Sequence, residues 1–257
     1  MTLEYYLLDP TGNITILVAS PVPVSSQPSV AAALTALEPE TEQVGFLSDG
    51  NGCDIALRMA GGEFCGNASM SAAVIAAGRG ARSVLLRVSG AVDPVRAEVE
   101  PLPDGSWYGT VSMPRPSAIK TFPLPRASDV PLVCFDGISH LILEEPLSRI
   151  QAEALAPECC RILDADALGL MLLDRANARL SPLVYVPAAD TLCWENSCAS
   201  GTSAVGAYLA VRAGRDLSMT LQQPGGSLSV EASPEGRLRL TGSVRLIRHT
   251  YAVLPDL

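Results

Sequence analysis

The sequence predicts an α+β protein made of two pseudo-symmetric lobes, each a curved, mainly antiparallel, barrel-like sheet around a central helix. The first observation is a duplicated turn: residues 63–69 and 195–202 each carry a cysteine that is followed by a run of small residues. The second is that Cys65 and Cys198 are separated by about half of the 257 residues, as expected for two related halves. The third is the alternation of β-branched runs with Gly, Pro and Asn turns, which is typical of short strands.

In the first half, short strands surround one helix of small residues. Residues 3–8 and 14–19 flank a Pro-Thr-Gly-Asn turn and are predicted to form a hairpin. The other predicted elements of this half are a helix at 28–37, strands at 43–48 and 54–59, the helix at 71–77 that stops at Gly78-Arg79, and strands at 83–88, 95–99 and 108–113.

The second half repeats this order less regularly. Residues 113–125 are rich in proline and are predicted to be a linker, which places the lobes at 1–116 and 117–257, with a last strand that can pair back to the first lobe. The predicted elements are strands at 130–135 and 140–143, a helix at 147–156, strands at 167–173 and 183–186, the helix at 204–213, and strands at 218–222, 227–232, 238–244 and 246–252.

Composition and charge restrict the class of protein. A formal charge of −9 repels nucleic acid and anionic membranes, so neither is expected as a partner. The N-terminus has no basic region, and no apolar run approaches the roughly 18 residues that span a bilayer, which predicts a cytoplasmic protein. Seven cysteines are an odd number, which also favours a reducing compartment over a disulfide scaffold.

A cysteine at the start of a helix has a defined chemistry. The first backbone N–H groups of a helix lack intrahelical partners, and the macrodipole adds positive potential, so this end attracts anions and lowers the pKa of a nearby thiol. Two such turns facing one ligand would hold a carboxylate and place one sulfur on either side of its α-carbon. That arrangement is the one a cofactor-free racemase needs, because one thiolate removes the α-proton and the other thiol returns a proton to the opposite face.

At these residues the chain resembles the diaminopimelate epimerase family, whose members carry a Cys-Gly-Asn turn in the first half and a Cys-Gly-Ser/Thr-Gly turn in the second. Residues 65–67 match the first turn, and residues 198–201 match the second with Ala199 in place of the glycine. Gly12-Asn13 is similar to the family's substrate-contacting Gly-Asn, and Gly-Ile-Ser-His at 137–140 sits where the family has Gly-Asn-Pro-His. These four points cover nearly the whole chain.

The resemblance implies a diaminopimelate epimerase-like fold, epimerisation of an amino acid at its α-carbon without any cofactor, and a homodimer. It makes Cys65 and Cys198 the acid/base pair and Asn13 a substrate contact. The residues whose backbone amides would hold the substrate carboxylate are Gly66, Asn67, Ala199 and Ser200.

Departures from the family pattern bear on the substrate. Ile138 replaces the family's asparagine, Met70 replaces a usual arginine, and no arginine follows Glu195. A distal carboxylate would then lack its donors, and a site without the expected hydrogen bonds discriminates strongly. The sequence therefore predicts a relative that acts on another amino acid, similar to the histidine racemases of this superfamily. Glu195 is predicted to bind the substrate ammonium or a cationic side chain.

Other residues carry alternative hypotheses. Glu42 sits where phenazine-biosynthesis isomerase-like proteins have a catalytic acid, and His140 is a further candidate through its family match. Two histidines, with cysteines that form no C-x-x-C pair, predict no metal site. Besides the racemase and the Glu42-dependent isomerase, a further hypothesis is a non-catalytic protein. Such a protein would bind an amino acid or sense redox state through a reversible disulfide between Cys65 and Cys198.

Overall fold

The structure is a computed structural model that describes residues 1–78, 83–124 and 127–254; Arg79 and Pro125, which the sequence predictions include, lie outside the described residues. The chain divides into two compact units, Met1–Ser112 with Thr241–Leu257 and Met113–Leu240. Residues 244–253 belong with the first unit because they pair with the first strand of the chain.

The elements of the first 113 residues are β1 (Thr2–Pro10), β2 (Thr15–Val18), α1 (Gln27–Leu37), β3 (Gln43–Ser48), β4 (Ile55–Met59), α2 (Gly66–Ala77), β5 (Ser83–Val88), β6 (Val95–Pro101) and β7 (Trp107–Met113). The remaining elements are β8 (Ala118–Leu124), β9 (Ala127–Phe135), β10 (Ile138–Leu143), α3 (Arg149–Leu163), β11 (Leu168–Asp174), β12 (Arg179–Val186), β13 (Thr191–Trp194), α4 (Ala199–Ala213), β14 (Leu217–Gln223), β15 (Gly226–Ala232) and β16 (Leu238–Val253).

The first unit is a closed barrel. Strands β1 to β7 are neighbours in chain order, β16 follows β7, and β16 pairs antiparallel with β1 to close the ring. The pairs β2–β3 and β4–β5 are parallel and the other registered pairs are antiparallel. Helix α2 packs against β1 through β6 and is buried nearly all round, so it is the central helix. The packing around α2 is close, since a Cβ on Gly109 of β7 would lie 3.0 Å from the Cβ of Met70.

The second unit is a sheet that packs around α4 on one face and against α3 on the other. Its strands run in the order β15, β14, β12, β11, β10, β9, β8, with β13 on β12. One face, with Leu141 and Leu170, packs against α3, and the other, with Ile142 and Met171, packs against α4. Alternate residues of β10 and β11 therefore belong to different cores, as the period of a strand requires. The predicted α+β fold, with a curved, mainly antiparallel sheet around a central helix in each half, is confirmed.

Three predicted elements are wrong in detail. The proline-rich linker contains β8, because buried Phe122 anchors it to β9 and Pro123 falls at a register irregularity that needs no ladder hydrogen bond. Helix α3 continues through Pro157, where packing of Cys159 and Cys160 against the sheet outweighs the local cost of the proline. The two strands predicted at 238–244 and 246–252 are one continuous strand, β16. A bulge in its pairing with β1 shifts the register without ending the strand.

The start of α3 offers a test of helix capping. Ser148 Oγ accepts the Gln151 N–H at 3.3 Å, and Gln151 Oε1 accepts the Ser148 N–H at 2.9 Å, which completes a capping box. Ser148→Ala is expected to lower the free energy of unfolding by about 1 kcal/mol in urea titrations. Ser218→Ala, on an exposed strand position, is the matched control and should change it by less than about 0.5 kcal/mol. Equal effects of the two changes would contradict a contribution from the cap.

Candidate active site: two thiol-capped helices

Cys65 is the N-cap of α2. Its backbone is extended, with φ −131° and ψ 116°, and its Sγ accepts the Ala68 N–H at 3.3 Å. The Ser69 hydroxyl donates to the Cys65 carbonyl at 2.7 Å and secures the turn from the helix side. The thiol therefore lies at the positive end of a helix, where negative charge on sulfur is stabilised.

Cys198 is the N-cap of α4 and repeats this geometry. Its φ and ψ are −118° and 106°, and its Sγ accepts the Gly201 N–H at 3.3 Å. Thr202 takes the part of Ser69, because its hydroxyl donates to the Cys198 carbonyl at 2.7 Å. The predicted duplication is thus present at the level of individual hydrogen bonds. The predicted helix starts at 71 and 204 are wrong, since both helices begin directly after the cysteine and make it a cap.

The two sulfurs have different neighbours. The Cys65 thiol donates to Gln43 Oε1 at 2.6 Å, from the first residue of β3. In this orientation the amide oxygen accepts, and the Cys65 thiol is the donor. The neutral amide adds no charge beside the sulfur.

Cys198 is in an unfavourable place for a thiolate. Burial raises the pKa of its thiol well above the usual value, and the charge of Glu195 and a hydrogen bond with that carboxylate raise it further. Hydrogen bonds from the Ser200 hydroxyl, 3.6 Å from Sγ, and from the Gly201 amide lower the pKa of Cys198, but they do not reverse the effect of burial. The pKa reduction expected from the helix start alone is therefore outweighed at Cys198.

Asn13 and Glu42 form a pair in the first unit. The Asn13 Nδ2 donates to Glu42 Oε2 at 2.6 Å, and Asn13 is fully buried. The backbone supports this contact, because the Glu42 N–H bonds to the Ile14 carbonyl at 2.9 Å. Glu42 directly precedes Gln43, so two residues of one short segment reach Asn13 and Cys65.

The remaining predicted residues lie at the helix starts or in the core of the second unit. Gly66 and Asn67 are the first two residues of α2 and are buried. Ala199 and Ser200 occupy the same positions in α4. His140, on β10, is fully buried, so desolvation lowers its pKa to about 3.

His140 is an unusual core residue. Neither ring nitrogen has a hydrogen-bond partner among the described residues, and Phe135 meets its ring edge at a centroid distance of 6.0 Å. A Cβ on Gly169 would lie 2.3 Å from His140 Nδ1, so β11 needs glycine there. His140 lies on the same face of β10 as Ile138 and Ile142, which pack in the same core as Cys198.

Two glutamines were missed by the sequence reasoning. Gln43 bonds to the sulfur of Cys65, and Gln223, at the end of β14, accepts the Cys198 N–H at 2.8 Å. Gln43 could have been found through Glu42, its neighbour in sequence. Nothing in the sequence near Gln223 connects it with Cys198, because only the pairing of β14 in the sheet brings it there.

Residues 2–249 match the family described as the histidine racemase CntK N-terminal domain. The chain belongs to this family. A histidine racemase of Staphylococcus aureus is 34% identical over 251 residues, which cover 89% of this chain and 88% of that protein. A histidine racemase of Fusobacterium nucleatum is 30% identical over 245 residues, which cover 87% of each chain.

Family membership makes the chain an isomerase, an amino acid racemase, and the predicted resemblance to this group rather than to true diaminopimelate epimerases is confirmed. A solved structure of a predicted epimerase from Pseudomonas aeruginosa has the same fold. The TM-score is 0.75 at 17% identity, covering 98% of this chain and 100% of that one.

The described part of the chain comprises residues 1–78, 83–124 and 127–254. Within these ranges no group of three or more His, Cys, Asp or Glu side chains is arranged to hold a metal ion. No helix within the same ranges is long and apolar enough to cross a membrane.

Proposed function

We propose that the chain racemises histidine or a closely similar amino acid without a cofactor, with Cys65 and Cys198 as the two acid/base groups. The observation that carries the proposal is the matched pair of N-cap thiols, each accepting an N–H from the third residue of its helix. The substrate class is supported by the histidine racemase of Staphylococcus aureus, 34% identical over 89% of this chain.

In the proposed reaction one cysteine is a thiolate and the other a thiol. The thiolate takes the α-proton, so the Cα–H bond breaks and an S–H bond forms. The second thiol then gives its proton to the opposite face, so its S–H bond breaks and a new Cα–H bond forms. Charge that develops on the substrate carboxylate is stabilised by the first backbone amides of each helix, at Gly66, Asn67, Ala199 and Ser200.

Carboxylates would recognise the cationic part of the substrate. We assign Glu195 to the substrate ammonium or imidazolium, and its contact with the Cys198 thiol would bring that cation beside the sulfur. A cation there offsets the carboxylate charge, which favours thiolate formation once the substrate is bound. Asn13, oriented by its hydrogen bond with Glu42, is assigned a contact with the substrate. His140 is assigned to the buried core of the second unit that contains Cys198. The proposal also includes a homodimeric state and a location in the cytoplasm. The two lobes of each chain are proposed to divide near residue 116.

A deuterium exchange screen tests this function. The purified protein would be incubated in heavy water with L-histidine and, separately, each other L-amino acid, under reducing conditions and with no pyridoxal phosphate. We expect deuterium at Cα together with the D-isomer, greatest for histidine and unchanged by a metal chelator. Absence of exchange for every amino acid would reject the proposal. Turnover under reducing conditions also excludes a protein that only binds an amino acid or senses oxidation.

Glu42 carries a second candidate reaction, an isomerisation of the phenazine-biosynthesis type. It is favoured by the 2.6 Å hydrogen bond from Asn13, which holds the Glu42 carboxylate beside the strand that carries Gln43. Under this alternative, Glu42→Gln abolishes proton transfer while Cys65→Ser and Cys198→Ser remain active. Under the proposed racemase reaction the opposite pattern is expected.

A further inference from the structure

Helix α4 lacks one half of a normal capping box. In that motif the third residue of the helix, a Glu or Gln, reaches back to the N–H of the N-cap residue. The third residue of α4 is Gly201, and it has no side chain to do so. Nor is there room for one, because a Cβ on Gly201 would lie 2.1 Å from Met171 Sδ and 3.1 Å from Cys198 Sγ.

Gln223, at the end of β14, makes the hydrogen bond that the third residue of α4 cannot make. Its Oε1 accepts the Cys198 N–H at 2.8 Å, while its Nε2 donates to Thr202 Oγ1 at 2.8 Å. Thr202 Oγ1 in turn donates to the Cys198 carbonyl at 2.7 Å. The three hydrogen bonds form a ring that fixes the peptide groups on both sides of the Cys198 Cα. Gln223 and Thr202 are both buried, so water cannot replace these bonds without cost.

The loop before Cys198 is held by the same turn. The Gly225 N–H, two residues after Gln223, donates to the Asn196 carbonyl at 2.8 Å. The end of β14 therefore secures both the approach to Cys198 and the cysteine itself. Cys65 is held differently, since the glutamine beside it, Gln43, bonds to the sulfur.

We propose that Gln223 is a positioning residue for Cys198. Gln223 completes the N-terminal cap of α4 from a residue distant in sequence, and it orients the thiol without placing a charge beside it. The neutrality of the amide matters because the thiol is already buried next to Glu195. A carboxylate at position 223 would keep the hydrogen bond to the Cys198 N–H but would oppose ionisation of the sulfur. This inference rests on the proposed role of Cys198 and adds a residue that sets its direction and acidity.

The experiment compares Gln223→Glu and Gln223→Met with Gln222→Met, a change of the exposed neighbouring residue. Two readouts are measured: racemisation against pH, and the rate of iodoacetamide alkylation at Cys198 against pH, followed by peptide mass spectrometry. The second readout needs no substrate, so it remains valid if the proposed racemase reaction fails.

Gln223→Met is expected to lower kcat about 10²-fold with little change in KM, since a misplaced catalytic group loses that order of rate. Gln223→Glu should retain more activity than Gln223→Met. The pH at which Cys198 becomes reactive to iodoacetamide, and the pH at which the racemisation rate rises with ionisation of Cys198, should both be higher by about one pH unit or more. Gln222→Met should behave as the parent protein.

Unshifted alkylation and rate profiles in Gln223→Glu would overturn the inference, even if Gln223→Met fails to fold. So would a Gln223→Met protein with parental kcat. If the parent protein exchanges no α-proton but Gln223→Glu still shifts the alkylation profile of Cys198, the proposed function fails and the positioning role stands.

Discussion

Replacing either Cys65 or Cys198 by serine should reduce racemisation by at least about 10³-fold. The hydroxyl of serine can accept the same helix N–H that each sulfur now accepts at 3.3 Å, so the turn is preserved. The hydroxyl is a far weaker acid than the thiol, however, and it does not supply the anion that removes an α-proton. The loss should be seen both as slower formation of the D-isomer and as slower deuterium incorporation at Cα.

Cys134→Ser and Cys193→Ser are the matched controls for this prediction. Neither residue caps a helix, since Cys134 is in β9 and Cys193 in β13, and both variants should retain parental rates. If Cys65→Ser and Cys198→Ser also stayed within tenfold of the parent, the two-cysteine mechanism would be wrong. Glu42→Gln would then be the variant to compare.

Acid should destabilise the protein through His140. Burial lowers the pKa of this imidazole to about 3 in the folded state, whereas an unfolded histidine titrates near about 6.5. The folded state therefore favours the neutral ring. Its contribution to stability is complete above the unfolded pKa and is lost as the pH falls from there toward the folded pKa. Between neutral pH and about pH 4.5 the loss is on the order of 3 kcal/mol.

The measurement is the free energy of unfolding in urea at neutral pH and near about pH 4.5, for the parent protein and for His140→Leu. Leucine keeps an apolar side chain of similar size in the core shared with Ile142, so the variant should fold. Its loss of stability between the two pH values should be smaller by about that amount. His249→Leu serves as the control, because His249 is exposed. Equal pH dependence in the parent and His140→Leu would show that His140 is not the group responsible.

Local patterns in the sequence predicted most of the elements. The β-branched runs gave β3 and β5 with their observed bounds, and the small-residue runs after Cys65 and Cys198 gave the two central helices. The patterns failed where tertiary packing decides the outcome. Phe122 holds a proline-rich segment in β8, and the buried face of α3 carries that helix past Pro157.

The candidate site was predictable only in part. Both thiols were found because each lies within a short duplicated turn, which is a local signal. Gln223 was not, since β14 reaches Cys198 only through strand pairing. The raised pKa of Cys198 was missed for a similar reason. It depends mainly on how deeply the cysteine turn is buried, which the residues of the turn do not reveal.

The return of β16 to pair with β1 has a consequence for synthesis on the ribosome. The barrel of the first unit lacks one strand until residues up to 253 have been translated, although its other strands are complete by residue 113. Residues 113–240 form a continuous segment and can fold before that strand emerges. During this interval β1 and β7 have exposed edges, so the nascent chain should be most prone to aggregation and most dependent on chaperones just before β16 emerges.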